Sequence, residues 1–368
     1  MGTKKILKDL ISIDSQCTKS NKEIIEYIEK NFFGYILEKF KFKSKNGKLD
    51  LYNLVVKIPG DNSNNPLAFV GHTDSVPISN NWTKNPLKAD ELGGRIYGLG
   101  SSDMKSGLAC IISSALTLNK IPPQDIYLIF DADEEGSLAG GERLIQDFSL
   151  ENARVVIPEP TNGNIIYGQK GCLDMRITLF GIAKHSSTAN SNYNEKNNAI
   201  FKALDTGGSL MQYGREIENR KDSLFGKPII NIGTICGGTA PNITADEAYI
   251  EISRRLLPDE NIENVYNEIV NIVRDKYSDA KFEKLFWGKP FLTNSNSDFV
   301  KYLEELSPSS KLNIQQGWTE AALFDDWGQA VVFGPGLGNQ CHKADEYCPI
   351  SDLEKFTDIY NKLMLGKI

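Results

Sequence analysis

What most restricts the fold of this chain is a rhythm. Short apolar runs, each ending in polar residues, alternate with segments of helical length. PLAFVGHTD (66–74), DIYLIFDADEE (125–135) and ARVVIPEP (153–160) read as buried strands. SGLACIISSALTL (106–118), rich in small residues, and GGERLIQDF (140–148) read as the helices between them. Two helices (4–13 and 21–33) and a strand (51–60) come first. Strand-helix-strand alternation of this kind builds βαβ units and a largely parallel sheet. In such sheets the carboxyl edge of the strands is where ligands bind.

The rhythm breaks near Gly171. A strand of alternating character (171–183), a helix (194–217), two successive strands (228–238 and 246–257), a helix (261–277) and a strand (281–290) follow. That order is β-α-β-β-α-β, the split ferredoxin-like unit. From about Pro290 the earlier rhythm returns, with a helix (297–306), a strand (311–315), a helix (319–327), a strand (330–336) and a terminal helix (351–365). At 368 residues the chain exceeds one typical core. The expected organisation is α/β: one domain in two parts, 1–170 and 289–368, interrupted by a smaller domain over 171–288.

Charge and cysteine usage narrow the class. A net charge of −7 argues against nucleic acid or an anionic membrane as partner. No apolar run reaches the roughly 18 residues that span a bilayer. The first residues, MGTKKILKDLISIDS, lack the apolar core of a signal peptide. Six scattered cysteines without a C-x-x-C pair read as reduced thiols of a cytoplasmic protein.

The chemistry gathers at strand ends. FDADEEG (130–136) puts four carboxylates directly after an apolar strand, an arrangement that repels itself unless a cation or proton neutralises it. Alone, such a run is more often a solvated loop. Four other segments accompany it: GHTDSVP (71–77), GLGSSDMKSG (98–107), PEP (158–160) and QCHKADE (340–346). Together they offer His72, Asp74, Asp103, Glu134, Glu135, Glu159 and His342, and the chain has only three histidines in all. Two imidazoles and several carboxylates at one sheet edge are the mixed N/O donors that a pair of Zn²⁺-like ions takes. No thiolate cluster is present to make a structural zinc site. Cys341, beside His342, reads as a packed thiol in preference to a ligand.

These segments, in this order and over nearly the whole chain, resemble the M20 family of zinc amidohydrolases and peptidases. The resemblance implies a catalytic domain interrupted by a lid or dimerisation domain, two Zn²⁺ ions (with Co²⁺ or Mn²⁺ as substitutes) and hydrolysis of a linear amide bond. Carried over by position, Asp103 bridges the ions. His72 and Glu159 complete one site, and Glu135 and His342 the other. Glu134 becomes the general base and Asp74 the partner that fixes the His72 tautomer. His185, in GIAKHSSTAN, matches the lid histidine that reaches a partner subunit's site, which implies a homodimer paired through the lid. A surface-loop histidine is the alternative. Asn242 and Arg255 match positions that contact substrate, although Ser253 stands where the family usually has an acid, which leaves Arg254 or Arg255 as the residue facing substrate. Gly336, in GPGLGNQ (334–340), matches tight backbone beside the substrate.

GWTEAALF (317–324), with Glu320, resembles a deacetylase segment and points to an N-acyl-L-amino acid as substrate, with acetylornithine deacetylase as the nearest type. A dipeptidase, a carboxypeptidase or a succinyl-diaminopimelate desuccinylase of the same fold is the alternative. A metal-bound binding protein without activity is disfavoured because Glu134 and Asp74 are both present.

Overall fold

In the central strand Leu67–His72 every residue is buried, because parallel neighbours flank it on both sides. The computed structural model describes residues 2–367. Two compact units make up the chain: Met1–Tyr167 with Thr293–Asn313 and Leu323–Ile368, and Gly168–Leu292 with Ile314–Ala322. The segment Ile314–Ala322, which the strand-helix rhythm assigns to the flanking domain, belongs to the second unit.

The sheet of the first unit runs in the order Ile36–Lys43, Asp50–Ile58, Ile126–Asp131, Leu67–His72, Ala153–Pro160, Gly328–Gly334, Ile165–Gln169. The four strands from Ile126–Asp131 to Gly328–Gly334 are mutually parallel, and the flanks are antiparallel. The expectation of a mostly parallel sheet therefore holds for its centre. Two of these strands escape the sequence reading, as do the short strands Asp90–Leu92, Arg95–Tyr97, Phe291–Leu292 and Tyr347–Pro349. Ile36–Lys43 is an edge strand whose lysines keep its exposed positions charged, a composition that protects an open edge and resembles a polar linker. Ile165–Gln169 is only five residues long and closely follows another strand.

The helices Thr3–Ser12, Lys105–Leu116 and Ile350–Leu365 pack against one another, and Lys105–Leu116 also packs on the sheet. Eleven residues of Lys105–Leu116 are buried, which explains its small side chains. A Cβ at Gly107 would lie 2.1 Å from the Pro158 carbonyl oxygen, so only glycine lets this helix approach the strand that carries Glu159. At its first residue the buried Lys105 ammonium donates to the carbonyls of Leu10 (3.1 Å) and Ile13 (3.0 Å). These close the preceding helix, where positive charge is favoured.

The second unit has the order strand Gly171–Phe180, helix Ala199–Ile217, strands Ile229–Gly237 and Glu247–Leu256, helix Ile262–Arg274 and strand Lys281–Gly288, with the short helix Ser191–Asn197 inserted. Its sheet is antiparallel throughout, ordered Ile229–Gly237, Glu247–Leu256, Gly171–Phe180, Lys281–Gly288. Period-2 alternation places Leu173, Met175, Ile177 and Leu179 with Ile250, Ile252 and Leu256 on the buried face. The helix Ile262–Arg274 covers that face with Val265, Ile269 and Val273, and Asn261 caps it by accepting from the Asn264 N–H at 3.1 Å.

Candidate metal centre

Parallel pairing decides what meets at the sheet edge. Register sets His72 opposite Asp131, so the chain leaves both strands at the same level, carrying Asp74 on one loop and Glu134 and Glu135 on the other. Glu159 lies near the end of the next strand, and the loop after Gly334 leads to His342.

Two groups of metal-ligating side chains form there, His72–Asp103–Glu159 and Asp103–Glu135–His342, with Asp103 common to both. His72 Nε2 lies 3.3 Å from Asp103 Oδ1 and 3.3 Å from Glu159 Oε1. On the other side His342 Nε2 lies 3.5 Å from Asp103 Oδ2 and 3.0 Å from Glu135 Oε2. The two oxygens of Asp103 thus serve different groups, which is the disposition of a bridging carboxylate.

The donor set suits a divalent cation. His72 Nε2 is fully buried between two carboxylate oxygens yet makes no hydrogen bond of proper geometry to either. The opposite nitrogen, Nδ1, lies 3.1 Å from the Asp74 carbonyl oxygen, which fixes the tautomer with the proton on Nδ1 and the Nε2 lone pair turned inward. Each group pairs one imidazole with carboxylates and leaves positions for further ligands, the pattern of an open zinc-type site.

Electrostatics carry the same message. Burial, with Glu159, Glu135 and Asp103 nearby, raises the Glu134 carboxyl well above the ordinary value. Burial and then Asp103 push Glu159 up to about 8. Asp74 is pushed up to about 7 by burial, with the charge of His72 opposing. Although burial works against it, His342 and His72 hold Asp103 below the usual carboxylate range. Asp103 and Glu135 in turn raise His342 to about 10. Without a metal, protons therefore compensate the crowded negative charge, the situation in which a divalent cation binds by displacing them.

Asp74 touches His72 through its main chain. Its carboxylate stands 3.7 Å from His72 Nδ1, and the main-chain carbonyl of Asp74 is what meets the ring. The carboxylate oxygens instead accept the main-chain N–H groups of Glu134 (3.2 Å) and Glu135 (3.1 Å). Asp74 thus holds the backbone of both glutamates.

The Gly336 main-chain groups are already engaged: its N–H donates to Asp352 at 3.3 Å and its carbonyl accepts from the Asn162 N–H at 3.2 Å. With φ of +90° and a Cβ position 2.5 Å from Ser102 Oγ, Gly336 shapes the loop ahead of His342 and offers no free donor. The Cys341 thiol is held protonated by burial beside Asp103 and Glu159.

His185, Asn242, Arg254 and Arg255 all belong to the second unit. His185 is exposed, its Nδ1 2.8 Å from Ser187 Oγ. Its segment pairs with that of Asn242: His185 bridges to Ile243, and the Ser186 N–H donates to the Asn242 carbonyl at 2.9 Å. Strand parity separates the two arginines. Arg254 is fully buried on the core face and bound to Glu260 at 2.5 Å, while Arg255 lies on the opposite face with Ser253.

One residue of the centre was missed. Glu346, 1% exposed, accepts three main-chain N–H groups from the loop that carries Asp103. Its only sequence signal is an acid directly before the buried-edge strand Tyr347–Pro349.

Residues 68–366 match the model of Peptidase family M20/M25/M40. The acetylornithine deacetylase of Buchnera aphidicola subsp. Schizaphis graminum is 30% identical over 96% of this chain and 93% of its own length. A probable succinyl-diaminopimelate desuccinylase of Staphylococcus aureus is 27% identical over 97% and 95%. Among solved structures, a tripeptidase from Staphylococcus aureus superposes with a TM-score of 0.77 at 20% identity, covering 98% of this chain and 96% of that one.

Proposed function

This chain belongs to peptidase family M20/M25/M40 and is a metal-dependent hydrolase, and from that premise we propose that it removes the acyl group from N-acyl-L-amino acids of the acetylornithine type. The observation that carries the reading is the division of the Asp103 oxygens between two His-Glu pairs, with Glu134 alongside. Relatives named acetylornithine deacetylase, similar over nearly their whole length, support the acyl-amino acid class, as does GWTEAALF (317–324). A desuccinylase is the second reading, on the similarity to the probable desuccinylases, and a dipeptidase or carboxypeptidase of the same fold is the third.

His72 and Glu159 would hold one ion and Glu135 and His342 the other, with Asp103 shared between them. Two Zn²⁺ ions are proposed, with Co²⁺ or Mn²⁺ as substitutes. Ions bound there supply Lewis acidity toward the substrate carbonyl and toward water. Glu134 takes the proton of the attacking water and returns it to the leaving amine, a role for which its raised carboxyl is suited. Asp74 keeps Glu134 and Glu135 in place through their main-chain N–H groups.

The second unit is proposed to be a ferredoxin-like lid that also dimerises. Its open edge strand Ile229–Gly237 and the exposed Phe201, Leu204 and Met211 of the helix Ala199–Ile217 fit contact with a second copy. His185 of the lid donates to the tetrahedral oxyanion across the dimer, while Asn242 and Arg255 receive the substrate carboxylate. A net charge of −7 and the absence, among the described residues, of a helix long and apolar enough to cross a membrane suit a cytoplasmic enzyme of small substrates.

The test is a panel of N-acetyl-, N-succinyl- and dipeptide substrates with chelated protein reloaded with Zn²⁺ or Co²⁺. N-acetyl amino acids should be turned over fastest. Preference for dipeptides or N-succinyl substrates would move the assignment within the family, and no hydrolysis of any of them would overturn the reading.

A further inference from the structure

A five-residue stretch, His342–Glu346, carries a ligand of the metal centre at one end and a buried carboxylate at the other. Glu346 Oε1 accepts the N–H groups of Ser102 (2.6 Å) and Asp103 (2.9 Å), and Oε2 accepts that of Gly100 (2.9 Å). Both oxygens are therefore committed to the turn that ends in the bridging aspartate. The turn is further closed by the Ser101 N–H to the Gly98 carbonyl (3.0 Å) and by the Lys105 N–H to the Gly100 carbonyl (2.9 Å). Behind it, the Gly98 N–H donates to the Glu346 main-chain carbonyl at 3.0 Å, and Tyr347–Pro349 pairs with Arg95–Tyr97. The same segment is tied to a third loop by Asp345, which accepts the N–H groups of Thr83 and Lys84, each at 3.0 Å.

Three donors converging on two oxygens require a carboxylate. Glutamine would offer one oxygen and turn an NH₂ toward an N–H, leaving a buried donor unsatisfied. We propose that Glu346 is the positioning residue of Asp103: by gripping the Gly100–Asp103 turn it holds one Asp103 oxygen toward His72 and Glu159 and the other toward Glu135 and His342. The proposal rests on the two-ion reading above. It differs from a ligand's role in a measurable way. Loss of His342 weakens one metal position, whereas loss of Glu346 loosens the residue common to both. Partners that orient a ligand typically contribute about 10–100-fold in metal affinity.

The experiment is calorimetric titration of chelated protein with Zn²⁺ for wild type, Glu346→Gln, Glu346→Asp and His342→Asn, with thermal unfolding recorded for each. Glu346→Gln should weaken both binding events by about 10–100-fold. Glu346→Asp, which keeps the charge one methylene short, should fall between it and wild type, and His342→Asn should weaken one event only. Wild-type affinity at both positions in a folded Glu346→Gln protein overturns the proposal, as does a loss confined to one position. If wild type itself binds fewer than two ions, the two-ion reading fails instead. Hydrogen exchange on wild type gives a test independent of how the variants fold. The amides of Gly100, Ser102 and Asp103 should stay protected after chelation, and exchange of all three at the rate of solvent-exposed loop amides overturns the proposal.

Discussion

Removing metal while raising the pH from 5 to 8 should destabilise this protein steeply. Burial pushes Glu159 from an ordinary 4.5 to about 8 and Asp74 from 3.8 to about 7. A raised carboxyl keeps a proton in the folded state that the unfolded chain releases. The folded state then binds more protons, and stability falls as pH rises. His342, raised from 6.5 to about 10, acts in the same sense, its contribution present below 6.5 and lost as pH climbs through 10. Asp103 has the opposite sign, its stabilisation present above 3.8 and lost only as pH falls below that, outside the window. At about 1.4 kcal/mol per pH unit, one such carboxyl costs about 4 kcal/mol between pH 5 and 8. The groups share neighbours and do not add, so about 4 kcal/mol is the expected loss, set against a typical total of about 5–15 kcal/mol. For a unit of this size that is a fall in melting temperature of roughly 10 °C. Bound cations let the carboxylates ionise without that cost, so metal-loaded protein should lose far less. Scanning calorimetry at pH 5, 6, 7 and 8, with chelator and with Zn²⁺, measures both curves. A chelated protein as stable at pH 8 as at pH 5, or a metal-induced shift that does not widen with pH, would refute the reasoning.

Glu134→Gln should retain both ions and lose turnover by about 10²–10⁴-fold, since an amide cannot take the water's proton; metal analysis beside steady-state kinetics checks it, and wild-type turnover would unseat Glu134 as the base. Glu135→Gln should instead weaken one metal position, seen as a single weakened event in titration. His185→Ala should lower turnover by up to about 10²–10³-fold with metal content unchanged, and mixing it with Glu134→Ala should restore partial activity upon subunit exchange; verified mixed dimers that regain nothing would exclude donation across the interface. Arg255→Ala should raise KM with little change in melting temperature, whereas Arg254→Ala should destabilise the fold by up to about 3 kcal/mol because it removes the buried guanidinium bound to Glu260 and leaves only the half-exposed Arg220 to pair with it; equal thermal effects from the two would contradict their placement on opposite faces.

The sequence by itself determined the elements and the chemistry that each delivers. Buried parallel strands must be apolar and must end in polar loops, so His72, Glu134, Glu135 and Glu159 announce themselves by following Leu67–Val70, Ile126–Phe130 and Val155–Ile157. Strand parity sets Arg254 on the face of Ile250, Ile252 and Leu256, but whether a charge can be buried there depends on Glu260, which meets it only in the folded chain. Only the tertiary structure decided how the ligands are held. Asp74 captures the N–H groups of residues 60 and 61 positions further on, and Glu346 those of a loop about 245 positions earlier. Side chain to main chain contacts of that range leave no period or motif in a sequence, because any residue has an N–H to offer and only the folded chain determines which carboxylate reaches it.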